Sequence, residues 1–247
     1  MLRKPVYIVL CFLVPLSVFC QHFLQKEQKA GDPKLVYTRI SAGTALSFYS
    51  NNNLHSGNTR PGPAFYGNVS EEIRMYKDIF FVGGIEYQHS AMSFNSYYFT
   101  PGYQPLYNGH YNCNYNLALQ EGRLNLLLRY TGGDELRNPF SAYAEMGYIL
   151  RYFINTKMKV TDDANGKNLF NGNTQADFIG KTLGNNFSSG LKINVGVQHN
   201  LLKTHRAWFL QIGFMYGLAQ FNIHEIFTPT ALNIKSSYAQ LGLGYKF

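Results

Sequence analysis

The chain has 247 residues, with 22 Lys and Arg against 14 Asp and Glu, a formal net charge of +8. Its pI is near 9.3 and its mean hydropathy is −0.20. The basic residues are spread singly with no cluster, which excludes a nucleic-acid surface, so no nucleic-acid partner is expected.

The first element is an export signal. Arg3 and Lys4 form a basic start, and an apolar run over 6–19 carries Pro15 and Ser17 within it. The run is shorter than the ~20 residues of a membrane-spanning helix and sits where a secretory signal sits. Residues 1–20 are therefore expected to be a signal peptide cleaved after Cys20. Lipidation of Cys20 is the alternative, and Phe19 is too large for the position before a lipidated cysteine. Cys11 and Cys20 leave with the signal, so Cys113 stays alone and no internal disulfide is expected. Loss of Arg3 and Lys4 lowers the net charge of +8 by two, and attraction to anionic lipid headgroups is a use for the remaining excess. Residues 21–34 read as a short polar periplasmic tail, before a barrel domain over 35–247.

Eight segments then alternate in character with the period of two that a strand requires. In 35–49, Ile40, Thr44, Leu46 and Phe48 oppose Arg39, Ser41, Gly43 and Ser47. The polar face of 63–76 carries Tyr66, Asn68, Ser70, Glu72 and Arg74. In 79–92, Phe81, Gly83, Ile85 and Tyr87 oppose Glu86, Gln88 and Ser90. In 117–130, Leu124, Leu126, Leu128 and Tyr130 oppose Arg123, Asn125 and Arg129. Segment 140–154 sets Ala144, Met146, Tyr148 and Leu150 against Tyr143, Glu145, Gly147 and Arg151, and 187–200 sets Leu191, Ile193, Val195 and Val197 against Lys192, Asn194, Gly196 and Gln198. Segment 207–221 sets Trp208, Leu210, Ile212, Phe214 and Tyr216 against Gln211, Gly213, Met215 and Gly217. The last, 236–247, sets Leu241, Leu243, Tyr245 and Phe247 against Gln240, Gly242, Gly244 and Lys246. Strands that are polar on one face and apolar on the other suit an all-β, closed, antiparallel up-and-down barrel whose outer solvent is lipid.

Connections alternate in length. Those at 77–78, 131–138 and 201–206 are short, and those at 50–62, 93–116, 155–186 and 222–234 are longer. Outer-membrane barrels have short periplasmic turns and longer external loops, which predicts periplasmic termini and an aromatic rim of Phe81, Tyr130, Phe140, Trp208 and Phe247. The terminal strand ending on Phe247 resembles the C-terminal signature by which bacterial outer-membrane barrels are recognised, which implies the barrel-assembly machinery as a partner. The stretch from Leu124 to Tyr130, a turn, and then Asn138-Pro139-Phe140 through Gly147-Tyr148 resembles the central hairpin of the porin-like outer membrane protein β-barrel family. That resemblance implies an eight-stranded barrel in a Gram-negative outer membrane and brings no catalytic residues.

Candidate sites follow from the inward positions. Arg74, Glu86, Arg123, Arg129, Glu145, Arg151 and Lys192, with Arg39, Glu72 and Glu121, are expected to form a lumen charge network, because the interior of an eight-stranded barrel is just filled by side chains. An ion path along those charges is the sharper alternative. The seven His residues show no metal-ligand spacing, and neither metal nor cofactor is expected. His89 and Ser90 invite comparison with barrel lipid hydrolases but fall on opposite strand faces. In the stretch 93–116, Tyr97, Tyr98, Tyr103, Tyr107 and Tyr111 stand among Asn and Gly, a composition suited to binding an envelope protein or a surface glycan. Residues 155–186 read as a flexible loop, with too few alternating acids around Asp162 for a calcium site. The leading expectation is a non-enzymatic outer-membrane barrel of structural, adhesive or envelope-complex role. A small-solute porin and a lipid-modifying barrel enzyme are the alternatives.

Overall fold

A computed structural model describes residues 36–51, 60–98, 111–133, 138–162, 166–174, 176–179, 187–201, 206–223 and 234–247. Eleven strands follow in chain order: β1 (Val36–Asn51), β2 (Gly62–Tyr76), β3 (Ile79–Tyr98), β4 (Tyr111–Gly132), β5 (Phe140–Asp162), β6 (Asn168–Thr174), β7 (Ala176–Ile179), β8 (Phe187–Leu201), β9 (Arg206–Gly217), β10 (Gln220–Ile223) and β11 (Ile234–Lys246). Eight of them, β1–β5, β8, β9 and β11, pair antiparallel in turn. The cylinder closes where β1 meets β11, with thirteen paired positions from Arg39↔Lys246 to Asn51↔Ile234. Closure leaves no edge where all eight strands overlap, so their backbone groups are satisfied there without water.

Two ends of the cylinder differ. One end carries the 77–78 turn, the end of β4 and start of β5, the end of β8 and start of β9, and the start of β1 beside the end of β11, where Thr38 and Phe247 exchange backbone hydrogen bonds of 3.0 Å. Lys77 takes a positive φ of 37° in the 77–78 turn. At the other end β3, β4 and β5 run far past their neighbours, β6 adds to β5, and β7 and β10 pair beside β11. Here the structure corrects the sequence reading. Among the described residues, 93–98 and 111–116 are strand and not loop, β3 and β4 staying paired out to Tyr98↔Tyr111, and β5 continues to Asp162 and pairs with β6. Between β5 and β6 the Gly166 N–H donates to the Asp162 carbonyl at 2.9 Å, with Gly166 at φ +67°.

Side chains sort cleanly between the faces. The outside bears a belt of Leu128, Ile193, Val195, Ile212 and Leu243, each more than half exposed. Tyr130, Phe140, Trp208 and Phe247 are exposed near the turn end, as the sequence predicts for an aromatic rim, while Phe81 is half-buried. Trp208 and Tyr245 lie with ring centroids 4.8 Å apart. Inside, large side chains fit because facing strands carry glycine: a Cβ on Gly242 would lie 1.8 Å from Tyr66 Oη, and one on Gly217 would lie 2.5 Å from Arg151 Nη1. An apolar exterior around a charged interior is the arrangement a bilayer selects. The chain is a closed eight-stranded membrane-type β-barrel.

Candidate functional site: the filled lumen and the sheet beyond it

Inward positions of the barrel hold two ion clusters. In the first, nearer the extended end, Glu121 on β4 is held by two arginines. Arg151 Nε and Nη2 reach its two oxygens at 3.1 and 2.8 Å. Arg123 Nε and Nη2 both reach Glu121 Oε2, at 3.1 and 3.0 Å. Arg123 Nη1 also donates to Glu86 at 2.9 Å and to Gln88, while Lys192 pairs with Glu86 from the far wall. Tyr238 Oη donates to Glu121 at 2.8 Å and Gln240 Nε2 to Glu86 at 3.0 Å. In the second cluster, nearer the turn end, Arg129 Nη1 lies 2.6 Å from Glu72 and Arg39 Nη1 pairs with Glu145. Lys246 Nζ lies 3.6 Å from Glu72, and Asn194 Nδ2 donates to Glu145 at 2.8 Å. Arg129 and Arg39 also stack over Tyr143 and Phe209, at 3.9 and 4.4 Å from the ring centroids.

These side chains are buried to within a few per cent. Charges are buried at that depth only when each meets an opposite charge, as every ion here does. Each cluster has three cations around two carboxylates. Between them lies a cavity of about 10 Å³ lined by Asn68, Asn125, Asn194 and Gln211, room for a single water.

Six of the seven network residues named from the sequence, Glu86, Arg123, Arg129, Glu145, Arg151 and Lys192, come together here. Arg74 does not: it is half-buried beside the β2 bulge, its guanidinium 5.1 Å from the Phe80 ring centroid, in no ion pair among the described residues. Lys246 was visible as an inward residue in the terminal strand, but its partnership with Glu72 depends on closure, which sequence alternation does not reveal.

Above the ion clusters the interior turns apolar. Tyr49, Met92, Phe94, Tyr115, Leu119, Phe153, Val160 and Phe221 form one buried cluster across the extended end. Phe94 and Tyr115 stack face to face at 4.9 Å. Of the tyrosines expected to bind a partner, Tyr97 pairs with Asn112 and Tyr98 with Tyr111 at the tip of the β3–β4 hairpin, while Tyr103 and Tyr107 lie outside the described residues. Ser90 is buried and its Oγ accepts from Tyr49 Oη at 3.0 Å; His89 stands on the other face, so the two form no catalytic pair. Among the described residues no group of three or more metal-ligating side chains converges.

No protein-family model matches the chain, and no curated protein matches it in sequence. Solved structures similar in outline include the outer membrane protein OprG of Pseudomonas aeruginosa, 14% identical over 87% of this chain and 97% of that one, with a TM-score of 0.46. The outer membrane protein AlkL, solved in lipid bilayers, is 14% identical over 89% and 93% of the two chains at a TM-score of 0.40. Neisserial surface protein A is 16% identical over 85% and 95%, at 0.37. The assignment of the fold rests on the strand pairing itself.

Proposed function

We propose that this chain is a non-enzymatic integral outer-membrane barrel with both termini in the periplasm, whose sealed body anchors the sheet at the extended end for an adhesive or envelope-complex role. One observation carries this reading: the lumen is filled along its length, first by paired charges and then by an apolar cluster, so the molecule is built as a post rather than a pipe. The porin alternative would need a water column where Arg123, Arg151, Tyr238 and Phe153 stand. The lipid-hydrolase alternative would need His89 and a nucleophile on one strand face. A closed barrel with an apolar belt satisfies its backbone in lipid, and the signal expected over 1–20 would deliver it there.

Membrane-impermeant maleimide on intact cells tests the orientation. Lys167→Cys, exposed beside the turn between β5 and β6, should label before lysis, and Lys77→Cys in the short turn only after it. The reverse order would invert the barrel and sink the proposal. Native Cys113 is buried and contributes little background.

A further inference from the structure

The strands that outrun the barrel have two unlike faces. Their inner face is the apolar cluster, and their outer face carries amides and ammonium groups. Across β3, β4, β5 and β6 the paired positions read Ser93, Asn116, Lys159, Asn171 in one row and Ala91, Ala118, Lys157, Asn173 in the next. Lys157, Lys159, Asn116, Asn171 and Asn173 are exposed. Arg60, also exposed, joins the same edge through its N–H to the Ser93 carbonyl at 3.1 Å. Among the described residues of these four strands no acidic side chain points outward: Glu86, Glu121, Glu145 and Asp162 are all buried.

Position gives this outer face its occupant. On β3 the apolar belt ends at Tyr87 and the polar rows start at His89, with no gap between them. From His89 to Asn95 the strand rises about 20 Å, or roughly 15 Å along the barrel axis at ordinary tilt, which covers the polar layer of one leaflet. Lys157 and Lys159 stand about 7 Å apart on one face, Lys159 between Asn116 and Asn171 and Lys157 beside Asn173, amides that both donate and accept. Amides suit sugar hydroxyls and lysines suit phosphate. We infer that this wall binds the phosphorylated saccharide headgroups of outer-leaflet glycolipid, an inference that rests on the orientation proposed above.

The test uses the full-length protein in nanodiscs of phosphatidylcholine, alone or with added lipopolysaccharide, and follows lysine acylation by mass spectrometry. With lipopolysaccharide, Lys157 and Lys159 should react at least fivefold more slowly while Lys77 keeps its rate. Dephosphorylated lipopolysaccharide should restore the faster rate, and inorganic phosphate should give no protection. Unchanged rates, protection that survives dephosphorylation, or equal protection by inorganic phosphate would each overturn the inference. As a second measurement, Lys157→Gln with Lys159→Gln should at least halve the lipopolysaccharide phosphate that copurifies with the protein; full retention would overturn it too. Failure of the orientation is distinguishable, since an impermeant acylating reagent on intact cells would then reach Lys77 and spare Lys157, whatever the nanodiscs report.

Discussion

Arg151 grips Glu121 with two parallel hydrogen bonds across neighbouring strands, and Arg123 grips the same carboxylate from two positions along its own strand. Geometry of that kind fixes both guanidinium planes against the Tyr238 ring, with Arg123 Cζ 4.5 Å from its centroid. Glu121 is thus the keystone of the upper cluster. Glu121→Gln should lower stability in a detergent unfolding titration by about 3–5 kcal/mol, because buried Arg151 loses the carboxylate it grips while Arg123 keeps only its pairing with Glu86. Combining it with Arg151→Met should recover part of the loss. A double variant as unstable as the sum of the singles would mean the pair does not interact.

Lipid exposure gives a second expectation. Ile193 is 53% exposed on the belt, between Met146 and Phe214 on adjacent strands. Ile193→Arg should cost about 2–4 kcal/mol in a lipid-vesicle folding titration, and Ile193→Leu less than about 1 kcal/mol. Equal losses would place this side chain inside.

Close packing inside the wall predicts that Gly242→Ala destabilises by about 1–3 kcal/mol, since its Cβ would meet Tyr66 Oη. Shortening the opposing ring, Tyr66→Leu, should relieve that clash in the double variant. Loss of stability unchanged by the second substitution would assign the effect of alanine to something other than Tyr66.

Single-channel recording addresses the sealed lumen. The native protein in planar bilayers should give no steady porin-like conductance, and Phe153→Ala should still give none, because the charge clusters beneath it remain filled. A reproducible conductance of the native protein would promote the porin alternative.

Much of the barrel was legible in the sequence because its period of two is strict: Leu124, Leu126 and Leu128 against Arg123, Asn125 and Arg129 declare their faces without help. The extended end was hidden for a local reason. On β5, Asn155 pairs with Gln120 but Phe153 pairs with Glu121, so Ile154 is an extra residue. This bulge moves the inward set from odd positions, Arg151 and Phe153, to even ones, Met158 and Val160. Read as one alternating strand, the sequence stops at the bulge. The neighbouring strands hid their length differently: Ser93, Asn95, Asn114 and Asn116 have the composition of a loop, yet they face outward from a paired ladder. Arg74 misled because alternation places a residue on a face but does not say whether a counter-charge is in reach.

The change from charged to apolar along the barrel's interior also divides the labour of folding between two solvents. The stacked Phe94 and Tyr115, with Leu119, Phe153 and Val160, exclude water from one another much as the heart of a small water-soluble sandwich does, and gain by doing so before any lipid is present. The ring of Glu72, Arg129, Glu145 and Arg39 gains nothing from leaving water until the exterior that surrounds it has already been accepted by hydrocarbon. The same cylinder is therefore self-supporting at one end and bilayer-dependent at the other, with the seam where Glu121 meets Phe153.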